Sequence, residues 1–168
     1  MRVYVPLTLS GLAGAHRAGV LGPGPVAAYA VTPGLREWYR SDDEEELEYA
    51  ALGRAAAASL RLIAREPGAA GRRVVVAVDI KDGETVTDPG RAGETDAVGE
   101  VTIARAVPLS AAAAVHVDAD DAEADVTAAA LALAAAEGGD EDARGTVDGA
   151  DDHELLWFGV QEIPDILS

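Results

Sequence analysis

The chain has 168 residues, 30 of them Asp or Glu and 13 Lys or Arg, giving a formal net charge of −17 with histidine neutral. That excess argues against a nucleic-acid surface, which works by neutralising phosphates with Lys and Arg, and against binding to an anionic bilayer. With 49% apolar residues and no cysteine, the length fits one domain, 1–168, with an ordinary core, while disulfide frameworks, zinc ribbons, thiolate nucleophiles and iron–sulfur clusters are excluded.

Alternation in Arg2-Val3-Tyr4-Val5 predicts a first strand over about 2–7, and Ser10 is the expected N-cap of a short helix ending near Gly19. Residues 1–15 also imitate an export signal, with Arg2, an apolar stretch and Ala13-Gly14-Ala15. Pro6, Thr8 and Ser10 interrupt that stretch, so the strand reading is preferred and a cytoplasmic protein is expected. Gly22-Pro23-Gly24-Pro25 punctuates the chain before a second strand, 26–31. Thr32-Pro33 then pairs an N-cap residue with proline at the first helical position, opening a helix through Trp38-Tyr39.

Ser41 and Glu44 have capping-box spacing, and the acids Asp42 to Glu46 would sit at the positive end of the helix dipole. A long helix is predicted from there to about Arg65, with Leu47, Ala51, Ala58 and Leu62 as its packed stripe. Arg72-Arg73-Val74-Val75-Val76-Ala77-Val78 reads as an interior strand covered on both faces. Residues 81–99, rich in Gly, Thr, Asp and Glu, read as a mobile surface loop. A strand over 101–107, a helical turn after Pro108-Leu109-Ser110 and a strand at Val115-His116-Val117 follow. His116 should point to the sheet face opposite Val115 and Val117 and reads as a structural histidine. The second long helix starts near 118–121, buries Val126, Ala130, Leu131 and Ala134, and ends at Gly138-Gly139. An acidic loop over about 138–152, a last strand at 155–160 and a short tail with Pro164 complete the chain. No stretch reaches the ~18–20 apolar residues of a membrane span.

These elements predict an α/β (α+β) fold, a mixed sheet of about six strands with two long helices and several short ones. The halves share an order of strand, Pro-Leu-Thr/Ser, short helix, strand and helix. That order suggests a twofold pseudo-repeat related to the split-βαβ plan, with helices on one face.

Chemistry-bearing patterns are sparse. Residues 140–151 match an EF-hand loop at positions 1, 3, 6, 8 and 9, but Arg144 stands where position 5 needs an oxygen and Asp151 replaces the long glutamate at 12. The acids Asp42 to Glu46, Asp118 to Asp121 and Asp152 to Glu154 would serve a divalent-cation-dependent hydrolase or transferase only by converging in one pocket. Nucleophile-elbow and phosphate-loop motifs are missing, so no catalytic, metal or cofactor residue is assigned and no cofactor is expected. The aromatics Tyr29, Trp38, Tyr39, Tyr49, Trp157 and Phe158 neighbour acidic runs, and an acidic rim around aromatics suits a basic partner. Tyr49, Trp157, His153 and Glu154 are the candidate surface of a non-catalytic module that binds a protein partner or a second copy of itself.

Met1-Arg2-Val3-Tyr4-Val5-Pro6-Leu7-Thr8, Ala30-Val31-Thr32-Pro33, Glu45-Glu46-Leu47-Glu48-Tyr49-Ala50-Ala51, Pro108-Leu109-Ser110, Val115-His116-Val117-Asp118 and Asp152-His153-Glu154-Leu155-Leu156-Trp157 resemble a family of small acidic actinobacterial proteins of unknown function. The resemblance runs over nearly the whole chain and implies kinship without an activity, ligand or catalytic residue. An Ala-rich chain with Lys81 as its only lysine and no asparagine fits a GC-rich source.

Overall fold

A computed structural model describes residues 1–168. The first half holds β1 (Arg2–Leu7), α1 (Leu9–Ala18), β2 (Val20–Leu21), β3 (Val26–Ala30), α2 (Pro33–Tyr39), α3 (Glu44–Arg65) and β4 (Val74–Asp79). The second holds β5 (Thr85–Val86), β6 (Glu100–Ile103), β7 (Val107–Pro108), β8 (Ala112–Val117), α4 (Glu123–Glu137), α5 (Glu141–Asp151), β9 (Leu156–Phe158) and α6 (Ile163–Leu167). Seven strands form one sheet in the order β5-β6-β3-β1-β4-β8-β9, and β2 pairs with β7 in a separate ribbon.

Every pairing in the seven-stranded sheet is antiparallel, so it is not mixed in strand direction. β3 and β4 flank β1, both antiparallel to it, and are joined through α2 and α3. This is one split βαβ unit with β1 as the inserted strand. The expected correspondence of halves is not displayed. β1 and β3 are neighbours, whereas β6 and β8, their counterparts by sequence order, have three strands between them.

Period-two alternation sends side chains to two cores. Val3, Val5, Val74, Val76, Val78, Val115 and Val117 face a core closed by Leu12 of α1, Leu21 and Val107 of the ribbon, and Ile163 and Ile166 of α6. Tyr4, Val75, Ala77 and Ala114 face the opposite core, closed by Leu35 of α2 and by Leu47, Ala51, Ala55 and Ala58 of α3. Helices therefore cover both faces, not one, because the run in β4 is apolar at successive positions and needs cover on each side.

Helix starts differ in detail from the sequence reading. Thr8, not Ser10, caps α1, accepting from the Gly11 amide, while the Ser10 hydroxyl donates to Glu66. Asp43 caps α3 through the Glu45 and Glu46 amides, and Ser41 supports it by accepting from the Asp43 amide and donating to Glu46. Thr32 with Pro33 opens α2 as expected.

Larger corrections fall in the second half. Residues 81–99 hold β5, two 3-10 turns and Arg91, whose guanidinium reaches Glu94, Asp96 and Glu100. Residues 140–151 are not a loop: Asp140 caps α5, accepting from the Ala143 amide. That helix overturns the EF-hand reading, because a cation loop needs its ligands on a turn. α4 buries Val126, Ala129 and Ala136, with Ala130 and Leu133 partly covered against α3 and α5, whereas Leu131 is 83% exposed. The expected stripe was rotated because a helix of this many alanines has almost no apolar contrast between faces. No helix is long and apolar enough to cross a membrane.

The packed face of α4 gives an ordering that unfolding in urea can check. Val126→Ala should cost about 2 kcal/mol, while Leu131→Ala, which removes more carbon, should stay within about 0.5 kcal/mol. The reverse order would place α4 on its other face.

Candidate functional site

The residues singled out by sequence gather around the turn between α5 and β9, and that turn is built on a buried ion pair. Val74 and Val117 are register partners in β4 and β8, so Arg73 and Asp118 stand side by side one position beyond. Asp118 is 0% and Arg73 2% exposed. The Asp118 carboxylate accepts from the Arg73 amide at 2.8 Å, from its Nε at 2.9 Å and from its Nη2 at 2.8 Å. The Asp118 carbonyl accepts twice from Arg72. Two desolvated charges are tolerated when their hydrogen-bonding capacity is used this fully.

Arg73 then reaches outward. Its Nη2 donates to the His153 carbonyl at 3.0 Å, and Nη1 lies 3.8 Å from Asp151. The His153 ring meets Asp125 of α4 through Nε2 at 2.7 Å. The next residue, Glu154, accepts from the Tyr49 hydroxyl of α3 at 3.1 Å. Residues 151–154 are thus held by the buried guanidinium, by α4 and by α3 before the chain enters β9. Of the four candidates, Tyr49 and Glu154 touch, and His153 turns instead to Asp125. Trp157 sits opposite His116 in the β8–β9 register, on the sheet face that α3 covers. Tyr49 is 63% and Trp157 64% exposed.

Electrostatics follow the contacts. The carboxylate beside it raises the His153 pKa, and the hydrogen bond to Glu154 raises that of Tyr49. Partial burial raises Asp151, opposed by Arg73 and reinforced by Asp148 and Asp152. His116 lies on the face opposite Val115 and Val117 as expected, and burial with the nearby Arg2 charge lowers its pKa.

The wider aromatic cluster divides. Tyr29 is a core residue, and Phe158 is half-buried against the other core. Trp38 and Tyr39 flank the Arg54 guanidinium, with ring centres 5.8 and 5.7 Å away. Trp38 lines a cleft of ≈ 870 Å³ between α2 and residues 87–100.

Arg73 joins the acidic run at 118 to the turn at 151–154, but the run at 42–46 is engaged elsewhere. Asp43 caps α3, Glu44 pairs with Arg36, Asp118 grips Arg73 and Glu154 binds Tyr49. No group of three or more His, Asp or Glu side chains is arranged to hold a metal ion. Arg73 is not among the residues the sequence points to, and Asp118 and Asp125 enter there only as members of an acidic run. The adjacency of Arg73 and Asp118 to the two surest strands was the one signal that could have paired them.

Residues 1–167 match the family of unknown function DUF6912. The chain belongs to that family. No curated protein and no solved structure matches it.

The two histidines contribute oppositely to stability. His153, raised by Asp125, stabilises fully below the ordinary value of 6.5 and loses that contribution as pH climbs through its raised pKa. For His116, lowered by burial, the contribution is present above 6.5 and lost as pH falls through its depressed pKa. An NMR titration of the ring protons should resolve one histidine on each side of 6.5. Asp125→Asn should bring His153 down and leave His116 in place, whereas coincident titrations would refute the assignment. Separately, Asp118→Ala should cost about 3–5 kcal/mol in urea unfolding because it strands the Arg73 charge. A cost near that of an ordinary surface change would show the pair to be solvated.

Proposed function

We propose that this protein is a non-catalytic binding module whose working surface is Tyr49, Glu154, His153 and Trp157, and whose partner is a protein with basic residues. One observation carries the reading. Two of the chain's few large aromatics, Tyr49 and Trp157, stand largely exposed beside a turn that α3, α4 and a buried arginine hold in place. Elsewhere Tyr4 and Tyr29 are buried, and Trp38 and Tyr39, 53% and 40% exposed, already pack around Arg54. Ordering an aromatic at a surface has a cost in entropy and hydration that a contact with a partner recovers, and Tyr and Trp are the residue types enriched where binding energy concentrates.

Charge supports the partner's sign. Asp151, Asp152 and Glu154 border the aromatics, and a chain of net charge −17 attracts basic surfaces and repels copies of itself. Steering of this kind weakens with salt. With Asp43, Glu44, Asp118 and Glu154 each engaged by a local partner and no group of acids arranged to hold a metal ion, the cation-dependent hydrolase or transferase has no assembled centre to support it.

Affinity capture from the protein's own cells, comparing wild type with Trp157→Ala and Tyr49→Ala, tests the reading. A partner held stoichiometrically by wild type should be lost from both variants, with affinity reduced about thirtyfold or more, and should elute with moderate salt. Equal recovery by all three chains would remove this surface from the function.

A further inference from the structure

The sheet has two edges, and they are treated differently. At one, β5 is only Thr85–Val86 and runs into Pro89 and the Arg91 ion pairs. Such short, charged and proline-bearing edges resist further pairing. At the other lies β9, Leu156–Phe158, paired to β8 on one side and to nothing in the chain on the other. It carries neither charge nor proline. Leu156 is 47% and Trp157 64% exposed, and because neighbouring residues point to opposite faces, apolar surface is offered above and below the open edge. Within the strand itself, short length is the one protection against pairing.

Acids bracket this edge along the chain. Asp151, Asp152 and Glu154 precede it, and Glu162 and Asp165 follow it. A second copy added antiparallel about Trp157 would bring the acids before β9 in one chain towards those after β9 in the other. Like charges brought close at the ends of a pairing repel, and the net charge of −17 adds to the repulsion. A strand with an apolar centre and Arg or Lys at its ends would meet complementary charge at both ends.

We propose that β9 accepts an extended segment of a partner protein as an added strand, and that this segment flanks a short β-branched stretch with basic residues on both sides. The inference rests on the binding role above and specifies its mode. Main-chain hydrogen bonds to the open edge supply affinity, and side chains over Leu156, Trp157 and the flanking acids supply selectivity. The Arg73–His153 hydrogen bond and the Tyr49–Glu154 hydrogen bond keep the edge in place before the segment arrives, which reduces the ordering cost of binding.

The probe is a synthetic peptide, Arg-Arg-Val-Thr-Val-Thr-Val-Arg-Arg, titrated into the full chain and followed by backbone amide NMR and hydrogen exchange. Expected are shifts and slowed exchange centred on Leu156–Phe158, with binding about tenfold or more weaker for the same core flanked by glutamates. N-methylation of alternate peptide amides, which removes strand-forming donors, should weaken it comparably. Asp152→Lys with Asp165→Lys should reverse the charge preference while leaving the Tyr49–Glu154 hydrogen bond and the fold intact, as both side chains are exposed. Shifts centred away from β9, equal binding of the glutamate-flanked peptide, indifference to N-methylation, no response at β9 up to the peptide's solubility, or a concentration-dependent dimer through β9 would each overturn the proposal. If that happens while a cellular partner is still lost from Trp157→Ala, only strand addition fails. When Trp157→Ala and Tyr49→Ala retain every partner, the binding surface itself fails.

Discussion

Much of the second half of this structure hangs on one buried ion pair. Arg73 and Asp118 leave adjacent strands at the same level, and their charges are exchanged across a distance at which any loss of register would strand both. Each partner is satisfied by the other and by backbone groups: Asp118 binds the Arg73 amide as well as the guanidinium, and Arg73 has a donor left for the His153 carbonyl. A pair so enclosed adds less to stability than its Coulomb attraction implies, because desolvation offsets most of it. Its value is in position. Replacing one member leaves a buried charge, and the donor released from His153 would free the chain segment that leads into β9.

Position is transmitted outward in short steps. β4 and β8 are fixed by apolar residues that face two cores. The ion pair sits at their ends, the turn at 151–154 sits on the ion pair, and the exposed Trp157 follows the turn by three residues. Asp125 and Tyr49 attach the same turn to α4 and α3 from different directions. Exposed aromatics in a chain this poor in them are therefore presented on a braced edge, as preorganised binding requires.

What could be read in the sequence was whatever depends on near neighbours. β1, α2, α3 and β4 appear where Val alternation, Thr32-Pro33, the acids before Leu47 and the Val74–Val78 run place them. Failures have identifiable causes. Residues 141–151 contain two glycines and four acids, a composition with weak helical preference, yet they form α5 because Ala150 and Val147 pack with α3 and α4. Asp140 followed by Glu141 and Asp142 is a legible helix start, written over the same residues that resemble an EF-hand loop. β5 has two residues and exists through its pairing with β6, which no local pattern announces. The stripe of α4 was misplaced since alanine offers no contrast between its faces. Of the candidate site, the aromatics and Glu154 were legible as residue types beside acids. Asp125 and Arg73 were not, because their roles depend on contacts 28 and 80 residues away from His153.

The net charge constrains what the exposed edge at β9 can tolerate. An apolar open edge strand invites pairing with any extended chain, its own copies above all, since those are always present. A short strand limits that hazard, and proline or lysine would abolish it along with any use of the edge. Acids on both sides of β9 act differently: they leave the backbone donors and acceptors free while making an identical acidic copy the least favourable occupant. Repulsion at the ends of the strand thus separates self from partner without blocking the strand itself. The cost is dependence on ionic strength, because exposed charges lose their influence beyond about 8–10 Å at ordinary salt. Discrimination by these acids must then act at short range, and Glu154 and Asp152, two and four residues before the strand, matter more than the remaining negative charge of the molecule.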